Sequence, residues 1–146
     1  MSKCSFNTSG LDSLIKDLDQ DLKVKVGVLT STANRSDSSE SNAEVGVIHE
    51  FGVIGDDRFP ERSFLRMPLY SYLGKAISKM SINPFTLNVK TFLASVGGEA
   101  VKIIQNAFAS HGFGEWEISQ RAMLDGGLTL VDTGQLEESI TYEVVK

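Results

Sequence analysis

Four groupings in this 146-residue chain hold side chains that could do chemistry. His49-Glu50 opens like the zinc-protease helix motif, but that motif needs a second histidine four residues on, so that two imidazoles share one helix face, and position 53 is Val53. Cys4 with His49 or His111 has the parts of a thiol nucleophile and its base. Cys4 sits in a terminal stretch expected to fray, however, and nothing nearby in sequence would lower its pKa. Gly97-Gly98 lies inside a helical apolar stripe and suits close helix packing better than phosphate cradling, so no nucleotide role is expected. Asp132-Thr133-Gly134, after two apolar residues, resembles the active-site triplet of aspartic proteases, in which two carboxylates from two half-sites share a proton. One triplet would demand a homodimer, and only Gln135 to Lys146 follow it, too few residues to build a flap and supporting strands. In the structural alternative Asp132 or Thr133 caps a short helix over 134–139. The expectation is a chain that is not an enzyme, with no cofactor and no metal.

The elements that position these residues follow from periodicity. Leu11, Leu14, Ile15, Leu18 and Leu22 recur at helical spacing, and Ser9 with Asp12 resembles a capping arrangement. Residues 23–30 alternate polar or small with valine and predict a half-buried strand. Residues 31–42 show no apolar periodicity and predict a mobile loop that packs on nothing in the isolated chain. The segment 43–51 fits either a strand or a short helix, and helix is the slightly favoured reading. Residues 52–66, with Gly52, Gly55 and Pro60, predict a long extended excursion. Pro68 suits a helix start, followed by the stripe Leu69, Tyr72, Leu73, Ala76, Ile77 and Met80. Asn83-Pro84 repeats that logic as cap and first position of the longest helix, which should stop near His111-Gly112. Ile140, Tyr142 and Val144 predict a terminal strand, while Trp116 fits core or surface. The sum is a single α+β domain over 1–146: a small antiparallel or mixed sheet, made at least from the early strand and the last, packed against two or three helices, with long loops at 31–42 and 52–66.

Composition agrees with a folded globular chain. Hydrophobic residues are 41%, charged residues 23% and the mean hydropathy −0.06. No apolar stretch approaches the roughly 18–20 residues of a membrane helix, and the polar start lacks a signal-peptide core, so retention in a reducing cytoplasm is expected. A single cysteine excludes an intrachain disulfide. The net charge of −5 arises entirely in 115–146, which holds seven acids and two bases. A protein gripping nucleic acid would show a basic excess instead. Between Arg58 and Lys79 five bases face one acid, Glu61, which suits either a solvated face or an interface matched to the acidic C-terminal segment.

Three blocks in a fixed order carry a resemblance. Val45-Gly-Val-Ile-His-Glu-Phe-Gly52 is followed by Phe59-Pro-Glu-Arg-Ser-Phe-Leu-Arg-Met-Pro-Leu69, and Leu128-Thr-Leu-Val-Asp-Thr-Gly-Gln-Leu-Glu-Glu-Ser-Ile-Thr-Tyr-Glu-Val144 comes near the end. The ordered set resembles the tail-completion, or head–tail joining (neck), proteins of long-tailed bacteriophages and their relatives in virion morphogenesis. That resemblance implies a non-enzymatic virion subunit of tail-terminator-like α+β fold, in a ring of six around a DNA channel at the head-proximal end of the tail. Its partners would be a head-connector or stopper protein and a tail terminator or tail-tube protein, with DNA passing unbound. A tail terminator that stops tube growth is the near alternative; a homodimeric aspartic protease and a host-encoded interaction module are the alternatives of other classes.

Within that frame Arg58, Arg62 and Arg66 are candidate interface cations, with Glu137, Glu138 and Glu143 of a neighbouring subunit as partners. His49, Glu50, Phe51, Gly52, Pro60, Phe64, Asp132, Thr133 and Gly134 form the structural motif. Phe51 and Phe64 are expected to anchor their loops in the core, and His49 to be half-buried and satisfied. Reversing Arg62 to Glu is expected to weaken ring assembly, read by light scattering, and to leave the monomer folded.

Overall fold

The lysine–valine alternation after Leu22 folds as strand β1 (Lys23–Val28), and the alternation near the other end as strand β2 (Ile140–Val145). They pair antiparallel, with Val26 opposite Tyr142 and Val28 opposite Ile140. The two-residue period puts Val24, Val26, Val28, Ile140, Tyr142 and Val144 on one face. Lys25 and Glu143 stand on the other, with their charged atoms 3.8 Å apart. The computed structural model describes residues 7–35, 39–83, 86–127, 129–130 and 134–146. Cys4 lies outside them.

The helices in chain order are α1 (Ser9–Leu18), α2 (Asn42–Phe51), α3 (Arg66–Pro68), α4 (Gly74–Ser78), α5 (Val89–Ala109), α6 (Gln120–Asp125) and α7 (Gln135–Glu138). A π turn over Leu69–Leu73 joins α3 to α4, so the two act as one rod. With the two-stranded antiparallel sheet this is a small α+β fold. The rod packs on α5, and α5 crosses both strands. The crossing is close because Gly97 has no side chain: a Cβ there would overlap the Tyr142 ring. Phe64, Ile104, Ala107, Phe108, Trp116, Leu136 and Ile140 form the core. Phe64 lies 5.2 Å from Phe108 between ring centroids, and Trp116 meets Phe108 edge-on at 5.8 Å. Trp116 is thus a core residue.

Local chemistry moved several boundaries. The α5 cap is Asn88, whose Oδ1 accepts from the Thr91 N–H at 2.9 Å, rather than Asn83. The Asn83 carbonyl instead accepts from the Thr86 N–H at 3.2 Å in a turn, and Pro84 lies outside the described residues. At α1 the cap position belongs to Thr8; its hydroxyl donates to the Asp12 carboxylate at 3.2 Å, and Ser9 is already helical. Leu22 falls beyond the end of α1. Strand β1 stops at Val28, before a 3₁₀ turn over Thr30–Thr32. The loop expected to pack on nothing is tied at its end: Asn42 is buried, and its Nδ2 donates to the carbonyls of Thr32 at 3.2 Å and Asn34 at 3.3 Å. Residues 36–38 of that loop lie outside the described residues. The ambiguous segment resolves as helix α2, started by a capping box in which Ser41 Oγ accepts from the Glu44 N–H and the Glu44 carboxylate accepts from the Ser41 N–H. The second long helix begins at Arg66, two residues before Pro68. Past α5, the Gly112 N–H donates to the Ala107 carbonyl at 2.7 Å, the glycine stop expected there. His111 is a structural contact, accepting from the Thr129 N–H on Nδ1 at 3.5 Å.

The glycine pair on α5 makes a matched test. Gly97→Ala should cost about 1–3 kcal/mol by forcing the Tyr142 ring away, whereas Gly98→Ala, which meets nothing within 4 Å, should be neutral or stabilising by up to about 1 kcal/mol. Urea unfolding midpoints of the two variants check it.

Candidate functional site

The first two blocks meet at one carboxylate. Helix α2 carries Glu50 in its last turn, 3% exposed, and the chain from Ser63 to Arg66 wraps around it. Glu50 Oε1 accepts from Ser63 Oγ at 2.8 Å, from the Arg66 N–H at 3.0 Å and from Arg66 Nε at 2.9 Å. Oε2 accepts from the N–H groups of Phe64 and Leu65, both at 2.9 Å. Those backbone donors open the α3–α4 rod, where no earlier turn supplies carbonyls, so Glu50 caps that rod from a distance of fourteen or more residues. Charge-assisted bonds to a buried carboxylate are the strong kind, and here they saturate both oxygens. Glu50 is thereby a structural anchor, with little acceptor capacity left for a metal.

Between the anchor's two sides the excursion at 52–66 closes on itself. Gly52 ends α2 at φ 66°, and a Cβ there would lie 2.7 Å from the Glu61 nitrogen and 3.0 Å from the Phe59 carbonyl oxygen, so this crossing admits glycine alone. The Val53 N–H donates to the Phe59 carbonyl at 2.9 Å, and Arg58 pairs with Asp56 at 2.7 Å across the tip. The excursion is a closed surface loop rather than an extended one. Pro60 sits half-buried beside that closure.

Each candidate arginine is engaged within the chain that carries it. Arg66 Nη2 donates to the Glu50 carbonyl at 3.2 Å and to Glu61 at 2.8 Å, and its guanidinium lies 4.5 Å above the Phe51 ring. Arg62 is 6% exposed, its N–H donates to the His49 carbonyl at 2.8 Å, and its Nε donates to the Glu117 carbonyl at 3.1 Å. Burial pulls the Arg62 pKa below its usual value, with Glu117 opposing. Reversing it to Glu should therefore destabilise the folded chain itself, where the sequence reading has the monomer spared. The acids are elsewhere: Glu137 is half-buried and Glu138 exposed on α7, and Glu143 is on the outer sheet face opposite Lys25.

Two more expectations change. Phe64 is fully buried as foreseen, but Phe51 is 56% exposed and serves as the platform for Arg66. His49 is half-buried, yet its Nδ1 is buried without a hydrogen-bond partner. Its pKa is lowered, first by burial, then by the positive charges of Arg62 and Arg35. Sequence reasoning passed over Ser63 and Glu117, which hold Glu50 and Arg62; Ser63 placed three residues before Arg66 was the available cue, since its hydroxyl also accepts from the Met67 N–H at 2.9 Å.

The third block arrives on α7. Gly134 stands at its N-terminal boundary with φ 78° and no side-chain cap, while Asp132 and Thr133 lie outside the described residues. Leu136 is buried against Gly46 and the core ring Phe64, so all three blocks meet around Gly46, Phe64 and Leu136. A pocket of about 180 Å³ remains beside them, lined by Val28, Ala43, Val47, Glu50, Phe51 and Leu65 among others. Among the described residues no group of three or more His, Cys, Asp or Glu could hold a metal ion, and no helix is long and apolar enough to cross a membrane. The chain matches no protein-family model, and no curated protein or solved structure matches it.

Replacing Glu50 by Gln would turn an amide NH₂ toward donors and should cost about 3 kcal/mol, whereas Phe51→Leu should cost under about 1 kcal/mol; thermal melts of both variants check the contrast. For His49 the sign is set by a folded pKa below the ordinary value of about 6.5. Stability is complete above pH 6.5 and falls as the pH drops from there toward the lower folded value, because the unfolded chain takes up the proton first. His49→Gln should flatten that slope between pH 7.5 and 5.5, measured as urea midpoints.

Proposed function

We propose that the chain is a structural subunit of the neck of a long-tailed phage, completing the head-proximal end of the tail and joining it to the capsid connector as a ring around the DNA channel. The observation that carries this reading is the convergence of the three blocks. Segments far apart in sequence, which carry the resemblance by their residues and their order, form one unit centred on Glu50, Phe64 and Leu136. A shared block set maintained for a common architecture would behave this way, since each block supplies what another lacks: the acid, the donors and the packing residue.

The chemistry of the unit supports attachment rather than turnover. Glu50 is consumed by hydrogen bonds, and His49 has no hydrogen-bonded partner at its buried nitrogen to act as a relay. The acidic total charge suits a channel that lets DNA slide past, because attraction to phosphates would trap it.

Particles made without this chain test the role. Full heads and finished tails that stay separate are the expected outcome. Tails of runaway length would instead assign the terminator role, and complete particles would overturn both.

A further inference from the structure

Helix α1 touches α5 and half-buries Leu14, but most of its apolar stripe is left uncovered by its own chain. Leu11 and Ile15 are each 55% exposed and Leu18 is 62% exposed; no residue of the helix is buried. A ten-residue helix is marginal on its own, and its stripe is of the width that elsewhere faces a core. A groove of about 900 Å³ runs between α5 and the α3–α4 rod. Ala76, Ala94, Gly98 and Ile103 line it, and the small residues leave room for a helix to approach; a Cβ on Gly98 would meet nothing within 4 Å. Lys75, Lys79 and Lys102 also line it, with Glu99 holding Lys102 at 2.6 Å. The helix has the opposite charge: Asp12 and Asp17 lie on it and Asp19 just beyond, against the one base Lys16.

We infer that α1 of one copy docks in the α5/α3–α4 groove of the next, its leucine–isoleucine stripe on the small residues and its aspartates toward Lys75 and Lys79. No residue of α1 lines its own subunit's groove, so the contact joins two different surfaces. Such a head-to-tail contact closes into a ring when the rotation between neighbours permits. It deepens the neck reading and rests on it for ring closure. One short helix buries less than the roughly 800 Å² per partner of a stable complex. Pairs of free subunits therefore hold weakly, and closure, in which every copy uses both surfaces, supplies the stability.

Disulfide trapping reads the contact directly. In Cys4→Ser chains also carrying Ile15→Cys and Ala76→Cys, mild oxidation should give a ladder of linked dimers, trimers and higher species. Adding Leu11→Glu should cut the linked fraction by roughly tenfold with an unchanged melting temperature, because that side chain is exposed in the subunit. In otherwise native Cys4→Ser chains, Lys75→Glu with Lys79→Glu should weaken association seen by sedimentation, and mixing with Asp12→Lys, Asp17→Lys chains should restore it. Linkage only within one chain, dimers from Ile15→Cys alone at the same yield, or no linkage would each overturn the docking. These outcomes are separable from the neck role: complete particles without the chain would remove that role and leave a ladder standing, and unjoined heads and tails with no ladder would do the reverse.

Discussion

The burial of one carboxylate organises this molecule. Glu50 is taken out of water at the end of α2, and a charge in that position is tolerable only if the protein replaces its hydration in full. Five donors from Ser63 to Arg66 do so, and three of them, the backbone N–H groups of Phe64, Leu65 and Arg66, would otherwise be unsatisfied at the start of the next helix. Two problems, an orphan charge and an uncapped helix, thus solve each other. The consequence is positional: the direction of the α3–α4 rod is fixed relative to α2, Phe64 is delivered to the core between Phe108 and Leu136, and the intervening loop must close within the span from Gly52 to Glu61. The tight crossing at Gly52 follows from that closure.

Around this anchor polar and apolar surfaces are sorted in layers. The core takes Phe64, Ile104, Phe108 and Trp116, and the sheet's inner face completes it. The arginines sit one layer out, each spent locally, which leaves their segment closer to neutral than its five bases suggest. A charge count along a sequence overstates the field at a surface whenever the cations have been enlisted to hold their own loops.

The parts of the fold legible in the sequence were those with an unbroken period. β1, β2 and α5 announce themselves through alternation or a long 3.6-residue stripe, and their pairing and packing followed. The boundaries did not, because Asn83-Pro84 and Asn88 offer competing caps and only tertiary context picks the second. α1 shows the deeper limit: its stripe was visible, but a stripe tells that a face wants cover and not whether the cover is in the same chain. At the site the blocks were visible as sequence, while their convergence and the role of each residue were hidden. Glu50 and Arg62 carry charges that a sequence presents as surface, and their burial comes from contacts at separations of thirteen to fifty-five residues that no local pattern encodes.

The pairing of β1 with β2 ties residues 23–28 to residues 140–145, so the sheet spans almost the entire chain. A nascent polypeptide that has emerged as far as Gly134 has α5 with its inner face bare and β1 with no partner strand. Contacts of such long separation form late, after local helices have already appeared. The apolar flank of α5 that faces the sheet can therefore be sealed only once residues 140–145 have emerged, and until then that flank is what a chaperone would hold.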